Sequence, residues 1–231
     1  PLMVKIGIPA SIGMSGASLG FMVLMGFVNL FGTPVVSAYG ISTRVIHFFT
    51  MPAMGITSAV TAIVGQNLGA DNLKRAKEAV TKGIYMMLVI IIPAIVFMVI
   101  FGKSLTIFFI PKDELVHRLG QTMFYIISPS VLFFGLSTVL NGAFQGSGFT
   151  VPVMVTHLSR IWLFRIPFVY LISMVILKGP SDIDSSVGIW WGMFFSNLFA
   201  FVMIFLWYLR GKWLKARIKN PGKGDVAPTQ R

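Results

Sequence analysis

Six long apolar runs separated by short polar connectors organise this 231-residue chain. They fall at about residues 8–30, 37–64, 83–101, 122–144, 153–177 and 187–209. A helix needs roughly 20 consecutive apolar residues to cross the hydrocarbon core of a bilayer. The pattern therefore predicts an all-α integral membrane protein, a bundle of six transmembrane helices over residues 1–212 with a basic, disordered cytoplasmic tail at 213–231. Short connectors make consecutive helices antiparallel neighbours. Turns are marked by Gly32-Thr33-Pro34, Ile110-Pro111-Lys112 and Lys178-Gly179-Pro180.

The acidic residues sharpen that reading. Asp71, Glu78, Asp113, Glu114, Asp182, Asp184 and Asp225 all lie in connectors or in the tail. A charge at a helix centre costs about 3 kcal/mol on insertion scales, which drives acids to the ends. An apolar content of 55% and a mean hydropathy of +0.82 exclude an ordinary soluble enzyme.

Basic residues set the expected orientation. Lys5, Lys74, Arg75, Lys77, Lys82 and the tail bases Arg210, Lys212, Lys215, Arg217, Lys219, Lys223 and Arg231 fall on one side; Lys103, Lys112, Arg118 and Lys178 fall on the other. The positive-inside rule then puts both termini in the cytoplasm and the chain, as a multi-pass protein, in the cell membrane. The net charge of +12 reads as topology signalling beside a lipid bilayer, with no nucleic-acid partner. The chain opens Pro1-Leu2, and it is expected to be part of a longer polypeptide.

Between the second and third spans, Gly65 and Gly69 are expected in a turn, and Asp71 or Asn72 is expected to cap a helix through Lys74, Arg75 and Glu78. The apolar segment Leu105 to Ile110 is expected to lie along the interface. Gly16/Gly20, Gly142/Gly146 and Gly188/Gly192 have the four-residue spacing of close helix seams. Pro52, Pro93, Pro129 and Pro167 lie inside spans and are candidate kinks or hinges, since each removes a helix hydrogen bond.

Polar groups at membrane depth are costly and are functional candidates by default. They are Asn29, Arg44, His47, Asn141, Gln145, His157, Arg160, Arg165 and Asn197. Arg44 and His47, three residues apart on one helix face, either line a cavity or snorkel and pack. Arg160 is close enough to the inner surface to snorkel. Arg165 is deeper and calls for an internal partner. Asn141 and Gln145 either face a cavity or bond to neighbouring helices. Met51 and Met54 are candidates for an adaptable apolar wall. The substrate-cavity candidates are therefore Asn29, Arg44, His47, Met51, Met54, Asn141, Gln145 and Arg165.

Catalytic chemistry has no support. Zinc-protease, serine-hydrolase and phosphate-loop motifs are missing, as is cysteine. No catalytic residue, metal site or cofactor is expected, and the chain reads as a carrier rather than an enzyme.

Several segments resemble the multidrug and toxic compound extrusion (MATE) family. They are Pro52-Ala53-Met54-Gly55-Ile56, Val64-Gly65-Gln66-Asn67-Leu68-Gly69-Ala70 with Lys74-Arg75-Ala76, Asn141-Gly142-Ala143-Phe144-Gln145-Gly146-Ser147-Gly148, Trp162-Leu163-Phe164-Arg165-Ile166-Pro167 and Gly188-Ile189-Trp190-Trp191-Gly192. The resemblance implies the C-terminal six-helix lobe of a twelve-helix, two-lobe transporter, with the N-terminal six-helix lobe as partner. It implies a secondary active antiporter that exports amphipathic or cationic small molecules by alternating access, driven by Na+ or H+. A sodium-coupled branch carries a glutamate in the first helix of this half and an aspartate in the fourth. Residues 8–30 and 122–144 hold no carboxylate here, so the coupling ion is expected in the N-terminal half. The other readings are a lipid-linked oligosaccharide flippase of the same superfamily, and a six-span channel or scaffold. A flippase would call for several cavity arginines, for which Arg44, Arg160 and Arg165 are the candidates. A channel would show a selectivity loop or a ring of like charges between spans.

Overall fold

A computed structural model describes residues 2–177 and 179–214 of the chain. All regular structure among them is helical: α1 Leu2–Leu30, α2 Thr33–Gly69, α3 Leu73–Phe109, α4 Glu114–Gly146, α5 Val151–Ile176 and α6 Val187–Leu209. All six are long and apolar enough to cross a membrane. α1 to α4 overrun the expected spans, whereas α5 and α6 nearly coincide with theirs. With 37 residues each, α2 and α3 extend about 55 Å at 1.5 Å per residue, well beyond the ~30 Å of hydrocarbon.

The connectors follow local chemistry. Gly32 at φ 85° turns the chain into α2, whose first turn holds Pro34. Asn72 and Asp113 cap α3 and α4 by accepting from the backbone N–H groups of Arg75 and Val116, both at 3.1 Å. Two sequence expectations need correction. Leu105 does not begin an interfacial segment: α3 continues unbroken to Phe109, because Gly102 and the buried Thr106 pack on Phe124 and Gly120 of α4. Gly65 and Gly69 do not form a turn; both lie in α2, where the lack of a side chain on Gly65 admits the Gly146 carbonyl.

α4 is the central helix, and one of its ends contributes to each of two apolar clusters. Phe124, Val131, Val139, Leu140 and Phe144 join α2 and α3, whereas Val116, Leu119, Met123 and Ile127 join α1, α2 and α6. Between α2 and α4 the backbones touch. A Cβ on Gly142 would stand 2.8 Å from the Thr57 carbonyl oxygen, and Thr61 Oγ1 donates to the Gly142 carbonyl at 3.2 Å. Lipid tails are as apolar as these side chains, so close packing and interhelical hydrogen bonds carry the association. Gly16 and Gly20 of α1 likewise admit Leu158 and Ile161 of α5, and Gly188 and Gly192 of α6 admit Ser173 and Val169.

α5 is not a uniform α-helix. Two stretches, Ser159–Arg165 and Tyr170–Ile176, are π-helical, separated by Ile166–Val169. The N–H of Ile166 donates to Ile161 O and that of Leu177 to Ile172 O, each five residues back. Pro167 carries no N–H, so the α-type bond to Leu163 is impossible there.

Beyond α6, Gly211 (φ 66°) reverses the chain and Trp213 buries its ring against Tyr208, with centroids 5.1 Å apart. Trp213 and Leu214 therefore pack on the lobe and do not begin the tail expected from residue 213. The rest of that tail, 215–231, lies outside the described residues.

Candidate functional site

A cavity of about 380 Å³ opens among α1, α2, α4, α5 and α6. Its walls are mainly apolar: Phe21, Ile46, Ile127, Val131, Phe134 and Met193. Tyr39, Thr43, His47 and Thr50 supply a polar edge along α2, where Thr43 and Thr50 donate their hydroxyl hydrogens to the carbonyls of Tyr39 and His47 at 2.7 and 3.1 Å. Tyr39 is held from behind by Trp190, which stacks on it with centroids 6.2 Å apart.

The charged wall comes from α5. Arg165 is only 3% exposed. Its Nε donates to Ser196 Oγ and its Nη2 to Asn197 Oδ1, both at 2.9 Å. Asn197 Nδ2 passes the connection to Ser130 Oγ on α4 at 3.1 Å. All these partners are neutral. The guanidinium carbon also lies 5.6 Å from the centroid of the Phe21 ring.

Arg160 lines the same cavity, its guanidinium 5.0 Å over the Phe134 ring. Its buried Nε has no hydrogen-bond partner among the described residues. In a regular α-helix, residues five apart point about 140° away from each other. The widened turn from Ser159 to Arg165 brings both arginines onto one side of α5, which is why the fifth position counts here.

Acids do not balance this wall. Among the described residues a single ion pair forms, Arg118 to Asp184 at 2.9 Å, with both side chains exposed. It joins the start of α4 to the connector before α6, away from the cavity.

Of the substrate-cavity candidates named from the sequence, the structure brings His47 and Arg165 to this cavity, and of the other polar groups at depth it adds Arg160 and Asn197. Asn29, Arg44, Met51, Met54 and Gln145 are exposed on other faces, and Asn141 is buried on α4 with no hydrogen-bond partner for its Oδ1 among the described residues. Pro52, Pro93, Pro129 and Pro167 all sit on exposed helix faces. Sequence reasoning passes over Tyr39, Ser130 and Ser196, and reads Arg160 as a snorkelling residue. The available signal is Arg165 itself, since a deep guanidinium requires several acceptors on facing helices.

Comparison with known proteins gives this cavity its context. The MatE family profile matches residues 9–171. The chain belongs to the MATE family. A relative, the probable multidrug resistance protein YpnP of Bacillus subtilis, is 32% identical over 212 residues, covering 92% of this chain and 46% of its own length. The probable multidrug resistance protein NorM of Thermotoga maritima is 24% identical over 216 residues, covering 94% and 45%. The crystal structure of a MATE protein in complex with MaL6 superposes with a TM-score of 0.82 at 18% identity, over 93% of this chain and 47% of that one. This MATE chain thus spans about half the length of the curated relatives it matches, and its six helices reproduce half of the MATE fold.

Proposed function

We propose that this chain is the C-terminal six-helix lobe of a cation-coupled multidrug exporter that works by alternating access with an N-terminal lobe of similar size. The observation that carries this reading is the cavity itself. An apolar, aromatic wall with a few polar groups, set between helices at membrane depth, suits amphipathic small molecules. Its 380 Å³ is enough for a portion of a drug-sized molecule, and a second lobe would complete the chamber.

Two further facts support the reading. MATE transporters described as inward-facing and outward-facing both superpose on this chain with a TM-score of 0.80, as expected if each lobe moves as a rigid body. The close glycine seams between α2 and α4 favour the same rigidity. With no acidic residue inside α1 or in the body of α4, the coupling Na+ or H+ would bind in the other lobe.

The test uses the intact transporter in inside-out vesicles, with an amphipathic fluorescent dye and an imposed Na+ or H+ gradient. Dye accumulation that collapses with the matching ionophore is expected. Phe134→Ala and Met193→Ala should weaken it. Gradient-independent equilibration of the dye would overturn the exporter reading in favour of a channel.

A further inference from the structure

We infer that the cavity wall formed by Arg160 and Arg165 is a binding site for the anionic group, a carboxylate or a phosphate or sulfate ester, of an amphipathic substrate. The inference rests on the exporter reading in treating this cavity as a substrate site, and it narrows the class of molecule the site takes.

Two guanidiniums five residues apart on α5 face one small cavity. Arginine keeps its charge in proteins, and like charges brought together in a low-dielectric wall repel one another. Arg165 is held by two neutral oxygens, Ser196 Oγ and Asn197 Oδ1, which satisfy donors without cancelling charge. Arg160 rests on the face of Phe134, and its buried Nε lacks an acceptor among the described residues. None of the cavity-lining residues is acidic.

Arg165 is thus a fixed positive charge positioned by α6, and Arg160 is the fork with open donors. A planar guanidinium pairs with a carboxylate or phosphate through parallel N–H···O bonds. Phe21, Ile46, Val131, Phe134 and Met193 around it would receive an apolar body. The π-helical turn makes the arrangement specific: a regular helix would turn Arg160 away from the cavity. A cationic substrate would meet repulsion at this wall.

Binding is measured by fluorescence on the purified intact transporter in nanodiscs, using three probes with one fluorophore. Dansylglycine is anionic, dansylamide neutral and dansylcadaverine cationic. The wild type should bind dansylglycine at least about tenfold more tightly than dansylamide, and dansylcadaverine least. Arg160→Gln should erase that preference, bringing the dansylglycine and dansylamide affinities to within about twofold of each other. Thr43→Asp, which adds a carboxylate to the cavity edge, should do the same without touching either arginine. It serves where Arg160→Gln does not fold.

Equal affinities for the anionic and neutral probes in the wild type would overturn the inference. That result would follow if a carboxylate of the other lobe already neutralised the pair. Preference retained in both variants would overturn it too. The exporter reading is judged separately by gradient-driven dye accumulation. Accumulation without anion preference removes this site alone, and anion preference without accumulation leaves the site standing and removes the exporter.

Discussion

Arg165 donates to Asn197 Oδ1 at 2.9 Å, and the amide nitrogen of the same asparagine donates to Ser130 Oγ at 3.1 Å. One buried cation on α5 is thereby tied to α6 and, through α6, to α4. Removing Asn197 leaves the guanidinium short of an acceptor in a place water does not reach easily. Asn197→Ala should cost about 1–3 kcal/mol of stability and lower the melting temperature of the intact protein by several degrees. Arg165→Met removes the charge together with its demand for partners, so it should destabilise less than Asn197→Ala. Melting curves of the two variants in one detergent decide this, and the reverse order would contradict the account.

The α2–α4 seam leads to a steric expectation. Gly146 lies against the Thr61 carbonyl and the Val64 side chain, so any side chain there must push the two helix backbones apart. Gly146→Leu should lose about 1–3 kcal/mol or more and reduce the yield of monodisperse protein. Gly55, on the same helix pair, faces open space, and Gly55→Ala should be neutral or slightly stabilising. Size-exclusion profiles of both variants provide the comparison.

Legibility in the sequence differs sharply between fold and site. Six spans and their turns follow from hydropathy and local chemistry, because burial in lipid leaves the backbone few options; the sequence leaves the cap of α3 open between Asp71 and Asn72, and Asn72 takes it. The seam glycines at 142 and 146 are visible in their spacing. Gly65 does not announce itself as a member of that seam, since Gly-Gln-Asn-Leu-Gly has the composition of a turn and its place in the seam shows only in its close approach to Gly146. Within the site, Arg165 and His47 stand out as polar groups at depth. For Arg160, depth along a regular helix is a misleading guide, because a widened turn decides where it points. Tyr39, Ser130 and Ser196 are ordinary residues for their helices, and nothing local marks them.

Accessibility can check the placement of the sequence candidates directly. The chain has no cysteine, so single cysteines are clean reporters if the rest of the intact protein is made cysteine-free. His47→Cys, on an exposed cavity edge, should react with a small polar maleimide at least about tenfold faster than Asn141→Cys, which is buried on α4. Comparable rates at the two sites would contradict the burial of Asn141 on α4.

The exposed pair Arg118–Asp184 should matter little for stability. Both side chains are more than half exposed, 58% and 57%, and solvent screens their attraction. Arg118→Ala is expected to change stability by about 0–1 kcal/mol, and less in high salt. Melting curves at low and high ionic strength measure it. A larger, salt-resistant loss would mean that the pair does more than bridge a connector.

A widened turn holds more residues than the regular turns around it, and α5 contains two such stretches. Position-by-position comparison with a relative whose fifth helix is regular will therefore slip out of step after Ser159 unless a gap is opened there. Two chains could each carry an arginine in the same alignment column yet present it to opposite surroundings. For this helix, equivalence between family members has to be judged from which side chains meet in space, and only then written back onto the letters.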